Sequence, residues 1–319
     1  MGFFRWLLLA MSILPTHLWA RLTVSTLRGT AADQSGAVVI NARIRVVQQE
    51  TNLARGMNYT VNINKPQVSL TPFAQSRRPY PQSLGGSIGK NDGALNYNAL
   101  SIEGRRKMGQ LSFDAHWTWT SNYLNYLCIE DPYAPLRWSH DQYSSNFRAV
   151  DSAAWTMAFG HGKKFLTIAP RPVDLALGGW RAAWVSIAET GQFFTPSFSG
   201  VDTSNTNTAG GRPGRIADGN LPPEKRTLEH WFDASTFVVP APGRFGNASP
   251  FSLVRPGITV HNLSVSKNFK ARESFNTTFM VAAQVLLNYP AFASPAANIS
   301  SAGTVGVISM ELRLRVQFR

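Results

Sequence analysis

The side chains able to do chemistry in this chain are a few histidines, one thiol and scattered acid–base pairs. None of the six histidines begins an H-x-x-E pair, so the zinc-hydrolase arrangement of two ligands on one helical face is absent. The glycine-rich run Gly85-Gly86-Ser87-Ile88-Gly89-Lys90 fails as a phosphate loop. Its first required glycine falls on Leu84, and Asn91 stands where a Ser or Thr should follow the lysine. Ser, His and Asp all occur, but a Gly-x-Ser-x-Gly nucleophile elbow is not expected, so no hydrolytic or other enzymatic activity is read here. Cys128 is the single cysteine, which forbids an internal disulfide and offers no metal or redox motif. No cofactor or metal site is expected.

The charged groups that do recur sit in alternating segments. In Leu111 to Thr120, the residues Leu111, Phe113, Ala115, Trp117 and Trp119 oppose Ser112, Asp114, His116, Thr118 and Thr120. From Met310 to the end, Leu312, Leu314, Val316 and Phe318 oppose Glu311, Arg313, Arg315 and Gln317. Neighbouring side chains on a strand face opposite sides, so each segment has one apolar and one polar face. Arg105, Asp114, His116, Arg313 and Arg315, with Glu311, are the binding candidates this pattern selects. They would line a wet interior, where such groups need no one-to-one compensation; a buried soluble core would have to satisfy each separately.

Elements that position these residues follow from the same alternation. Strands are expected over 96–106, 111–120, 152–159, 179–192, 258–267, 274–286 and the closing stretch 305–318. Tight turns are expected at 107–110, 160–164 and 268–273. Long loops are expected over 122–150, 193–257 and 288–303. None of these strand segments contains proline, as a central ladder requires. Strands of this length, separated alternately by short turns and long loops, are the signature of an outer-membrane β-barrel with lipid outside and a polar lumen. A structureless connection as long as 193–257 would be out of place in a compact soluble domain.

The totals fit that class. Charged residues are 15% of the 319, yet 31 Lys and Arg stand against 18 Asp and Glu, a net charge of +13. The basic residues come in short pairs such as Arg77-Arg78, Arg105-Arg106 and Lys163-Lys164. No run is long enough for a nucleic-acid arm, and no nucleic-acid partner is expected. Residues 1–20 read as a secretory signal, with Arg5 before an apolar core from Trp6 to Leu14 and a break at Pro15 ahead of Ala20. Export to the bacterial outer membrane is the expected consequence.

Two resemblances sharpen this. The series Gly29, Asp33, Ser35-Gly36-Ala37-Val38-Val39, Asn41-Ala42 and Thr51-Asn52 resembles the first half of a carboxypeptidase regulatory-like domain, a small β-sandwich. The region 96–319 is similar to the C-terminal part of a TonB-dependent receptor barrel of the Oar-like branch. The carrying segments include His116-Trp117-Thr118-Trp119, Leu177-Gly178-Gly179-Trp180, Gly211-Arg212-Pro213-Gly214-Arg215, Asp218-Gly219-Asn220-Leu221-Pro222 and Leu287-Asn288-Tyr289-Pro290. The expected fold is thus all-β. A partial sandwich fragment over 21–64 and a linker over 65–95 precede the antiparallel strands of a partial outer-membrane barrel over 96–319. Residues 57–64 could finish the sandwich or start the barrel. The resemblance implies uptake of a scarce nutrient, with outer-membrane lipid, lipopolysaccharide and the TonB energy-coupling system as partners. No segment between Asn64 and Asn96 is long enough for a plug domain, so a truncated receptor that no longer transports is also implied. The alternative is a secreted or periplasmic β-sandwich binding protein.

Overall fold

A computed structural model describes residues 42–168, 170–272 and 275–309, with the backbone alone for 42–52, 270–272 and 275–276. Seven long strands follow one another: β1 (Ala42–Asn62), β2 (Ser87–Met108), β3 (Leu111–Leu124), β4 (Phe147–Thr156), β5 (Trp180–Glu189), β6 (Ile258–Arg272) and β7 (Phe275–Ala283). They form one antiparallel sheet in strict chain order, and a two-residue strand, Ser139–His140, pairs with the end of β3 as its eighth member. A short helix, α1 (Arg171–Leu177), lies in the β4–β5 connection.

Register shows how each side chain is placed, because residues paired across an antiparallel ladder share a face. Leu100, Ile102 and Met108 of β2 pair with Trp119, Trp117 and Leu111 of β3. Trp117, Trp119 and Phe113 continue to Ala149, Phe147 and Ala153 of β4. Ala153 and Trp155 continue to Trp184 and Ala182, then to Leu263 and Val265 of β6, and on to Ala283 and Val281 of β7. One face of the sheet is therefore apolar from β2 to β7. On the other, Arg105 pairs with Asp114 and Glu103 with His116, followed by Ser152 and Arg148, although Val150, Ile187 and Val260 interrupt it farther along.

Apart from the α1 connection, which lies over Lys267 at one end of β6, nothing among the described residues covers the apolar face with a second layer. Phe113, Trp119, Phe147, Trp155, Phe279 and Val281 on it are all exposed. The hydrophobic core lies elsewhere, in Phe232, Phe237, Ala248 and Leu253, with Phe194, Ala234, Ile299 and Val305 packed around them. All eight come from connections rather than from the long strands.

Those connections sort by end. The β2–β3 hairpin is two residues, with Gly109 at φ 57° in the first central position, as a II′ turn requires. Residues 63–86, 125–146, 190–257 and 284–309 all leave from the opposite end. They bind one another: Ser69 N–H donates to Ser204 O, Ile299 N–H to Ser197 O, and Ile308 N–H to Leu228 O. Two ladders of two residues each, Leu253–Val254 on Phe193–Phe194 and Gly214–Arg215 on Phe237–Val238, stiffen this cap.

Several expected boundaries move. The loop expected over 122–150 ends sooner, since Phe147 to Val150 already belong to β4. The linker over 65–95 gives way to β2 at Ser87, and the strand expected to reach 159 ends at Thr156, so the turn at 160–164 lies within a longer connection, 157–179, that holds α1. Ala42–Asn62 falls in the stretch that the resemblance assigned to the sandwich fragment, with 57–64 open between sandwich and barrel; it runs as one strand of the main sheet and pairs with β2 along its length. A period of two says that a segment is a strand; it does not say which sheet receives it. The glycine-punctuated register shift at Gly56, φ 79°, lets this long strand stay paired. The residues before 42 and the closing alternation over 310–318 lie outside the described residues.

Ala153 and Ala154 are adjacent, identical and on opposite faces, so they give a controlled test. Ala153→Arg should destabilise the protein folded in lipid vesicles by about 2–4 kcal/mol if its site is near the bilayer midplane, while Ala154→Arg should cost less than about 1 kcal/mol. Urea titration of the vesicle-inserted protein measures both.

Candidate functional site

The sequence-selected residues that can be followed sit where the alternation puts them. Arg105 Nε donates to Asp114 Oδ2 at 2.5 Å, an exposed pair on the polar face. His116 is paired in register with Glu103, and its Nε2 lies 3.3 Å from Thr118 Oγ1, which in turn contacts Ser101 Oγ at 3.2 Å. Arg148 and Glu189 add a looser ion pair on the same face at 3.7 Å. Exposed pairs of this kind contribute at most about 1 kcal/mol each. They set acids and bases side by side along the polar face. Arg313, Arg315 and Glu311 lie outside the described residues.

Three features escaped the sequence reading. Gly85-Gly86-Ser87-Ile88-Gly89 does spell Gly-x-Ser-x-Gly. In the structure Ser87 is exposed and opens β2, so the strand–turn–helix elbow that raises a nucleophile is not formed. Second, Asp151, Ser186 and His261 form a polar row across β4, β5 and β6 on the apolar face. Trp117 Nε1 donates to Asp151 Oδ1 at 3.1 Å, and the His261 ring stacks on Trp184 at 6.0 Å. The third is Arg106, whose chain pairs with Phe113 on the apolar face next to the hairpin. Its Nε is buried and meets no hydrogen-bond partner among the described residues.

The cap is where polar groups converge. Glu130 Oε1 accepts from Arg212 N–H at 2.8 Å and Oε2 from Arg212 Nε at 3.1 Å. Lys65 Nζ donates to Glu130 O at 2.7 Å and stands 5.0 Å from the Phe245 ring centroid. Burial lowers the Lys65 pKa, opposed by the charges of Glu130, Asp131 and Asp202. Arg77 fixes the first connection by donating to Thr71 O, Pro72 O and Gln67 O, and reaches Asn205 O at 2.9 Å in the third. These basic residues spend their charge on internal carbonyls and carboxylates. The site tying 63–86, 125–146 and 190–257 together is therefore structural in its chemistry. Cys128, exposed with φ 53°, lies in the second connection.

Asp202 is the knot of the third connection. Its carboxylate accepts from Ser204 Oγ and from the N–H groups of Thr206, Asn207 and Thr208. Burial would raise its pKa, but these donors prevail and hold it below the ordinary 3.8.

A long antiparallel meander with one apolar face, one charged face and a folded cap at one end is now established on geometry. The model of the family described as outer membrane beta barrel domain matches residues 50–317. The chain belongs to that family. The match starts inside β1 and runs through the cap, so the strand placed before the expected linker is part of the domain. Membership assigns the chain to the proteins of the bacterial outer membrane. No curated protein and no solved structure matches it.

The Asp202 knot has a pH signature of definite sign. A carboxyl whose folded pKa is depressed stabilises the fold above its unfolded pKa and loses that contribution as pH falls through the folded value. Protection of the Asn207 and Thr208 amides, measured against their intrinsic exchange rates, should be lost in acid as pH falls through the depressed Asp202 pKa and the knot protonates. Asp202→Asn should show the fast exchange already at neutral pH and no further step in acid.

Proposed function

We propose that this outer-membrane barrel domain is of the TonB-dependent receptor type, and that its work is capture of a nutrient ligand at the cell surface by the cap. One observation carries the reading. Four connections bind one another at one end, two of them, 190–257 and 284–309, around a shared apolar core, while the opposite end has the two-residue hairpin at 109–110 and one longer connection, 157–179. In outer-membrane barrels the long connections are extracellular and the short ones periplasmic, which turns the cap outward. The charged wall of Arg105, Asp114 and His116 then faces the lumen beneath it.

Transport needs more than capture. An eight-stranded barrel has an interior filled by its own side chains, whereas a ligand pathway needs a wider one. Passage would require further strands, from a longer barrel or from other copies, together with the TonB energy-coupling partner. Capture requires only the cap, which would meet lipopolysaccharide as well as ligand. A periplasmic sandwich protein would need a second layer over Trp117, Trp119 and Trp155, for which the described residues supply no candidate.

The test is fractionation with surface proteolysis. The protein should partition with outer membranes and migrate differently on a gel before and after boiling. Trypsin added to intact cells should cut within 215–227, after Arg215, Lys225 or Arg226. Release as a soluble periplasmic protein, or protection of the cap until the outer membrane is opened, would contradict the reading. Retention on an immobilised periplasmic TonB domain tests energy coupling separately.

A further inference from the structure

The β4–β5 connection, residues 157–179, stands at the short-turn end yet is far longer than a turn, and nothing in the barrel reading uses it. Met157, Phe159, Phe165, Leu166, Leu177 and Trp180 line a cavity of about 500 Å³ there, within the range of small-molecule sites. Its surroundings are unusually greasy for an exposed segment. Ile168 is 92% exposed, and Phe165, Leu175 and Leu177 are each at least half exposed. Lys163, Lys164 and Arg171 stand in the same segment against one acid, Asp174, for a local charge of three minus one, or +2. Asp174 is already engaged, since its Oδ1 accepts from His161 N–H at 2.6 Å. Lys164 Nζ lies 5.6 Å from the centroid of Phe165, a lining residue, which sets a positive charge at the cavity's edge.

The connection is pinned to the apolar face of the sheet. Lys267 is buried on that face, opposite Trp180 and Phe279 in register. Its Nζ donates to the carbonyl of Leu175 and, at 3.4 Å, to that of Asp174, which also accepts from the C-cap Gly178 N–H; a cation is favoured at this end of α1. Trp180 and Phe269 flank the same Nζ at 5.6 and 5.2 Å. Trp180 therefore belongs both to the cavity wall and to the face that meets lipid.

We propose that residues 157–179 bind one anionic phospholipid of the periplasmic leaflet. An acyl chain enters the cavity beside Trp180, and Lys163 and Lys164 take the phosphate. This rests on the outer-membrane barrel reading, which supplies the bilayer against the apolar face. The occupant follows from complementarity: an apolar cavity that shares Trp180 with the apolar face of the sheet, with Lys164 at its edge and Lys163 next to it in the chain, suits a molecule with a hydrocarbon tail and a negative head.

The experiment uses the full chain in phosphatidylcholine nanodiscs containing a minor fraction of brominated phosphatidylglycerol, with brominated phosphatidylcholine at the same fraction as the control. The Trp180 signal is taken as the difference between the protein and its Trp180→Phe variant. Brominated phosphatidylglycerol should quench Trp180 well beyond the control, saturably. Replacing both lysines, Lys163→Gln with Lys164→Gln, should lower the apparent affinity on the order of 30-fold, the equivalent of about 1 kcal/mol per basic residue. Equal quenching by the two lipids, or no effect of the lysine pair, would overturn the lipid site. Complete displacement by inorganic phosphate would also overturn it, since that would mark a free-anion site. Trp117, read in the same way with its Trp117→Phe variant, reports the barrel reading independently. Quenched Trp117 with indifferent Trp180 removes the lipid site alone; unquenched Trp117 removes both.

Discussion

In hydrocarbon no water is available to satisfy a backbone N–H or C=O, so every such group inside the bilayer must find a partner in the protein. That constraint shapes the chain. The seven long strands carry no proline, pair in unbroken sequential order, and take up irregularity as register shifts rather than gaps. It also defines what the sheet still needs. Among the described residues β1 and β7 each have one neighbour. An open edge of about ten residues facing lipid would cost several kcal/mol per unpaired group, more in total than a domain's whole stability. The edges must therefore be closed in the membrane, by additional strands or by another copy.

The position of the core follows from the same solvent. A sheet in water must bury one face against a second layer; this sheet leaves Trp119, Trp155 and Phe279 uncovered and places its packed aromatic core in the cap, where the surroundings are aqueous. Lipid supplies the missing layer. Lys267 on the apolar face obeys the rule too. Its Nζ donates to α1 carbonyls near the hairpin end. Asp151, deeper along β4, is met by the Trp117 indole.

How much of this the chain discloses before it folds depends on period. Leu111 to Thr120 alternates without a lapse, and β3 occupies Leu111–Leu124 with the faces so assigned. Gly109 marks its hairpin, and the proline- and glycine-rich stretches mark the cap connections. Phe147 to Val150 was hidden because Arg148 and Val150 share a face, which blurs the alternation at the start of β4. The cap's architecture has no period at all. Its decisive contacts join residues far apart in the chain, such as Lys65 with Glu130 and Arg77 with Asn205, and only tertiary structure brings them together. Asp151, Ser186 and His261 escaped for the same reason: each is an isolated exception on its own strand, and only register makes them a row. Arg105, Asp114 and His116 were legible as a set because charge on one face of regular strands is itself a periodic signal.

The central claim is that the face carrying Phe113, Trp117 and Trp119 meets lipid while the face carrying Asp114, His116 and Thr118 meets water. Nitroxide labels placed one at a time along β3, from Leu111 to Thr120 in reconstituted protein, measure this directly through their collision rates with oxygen and with a water-soluble nickel complex. The account predicts a two-residue alternation, oxygen favoured at Phe113, Ala115 and Trp117 and nickel at Asp114, His116 and Thr118. Uniform accessibility to nickel, or an apolar face shielded from both reagents by protein, would contradict it.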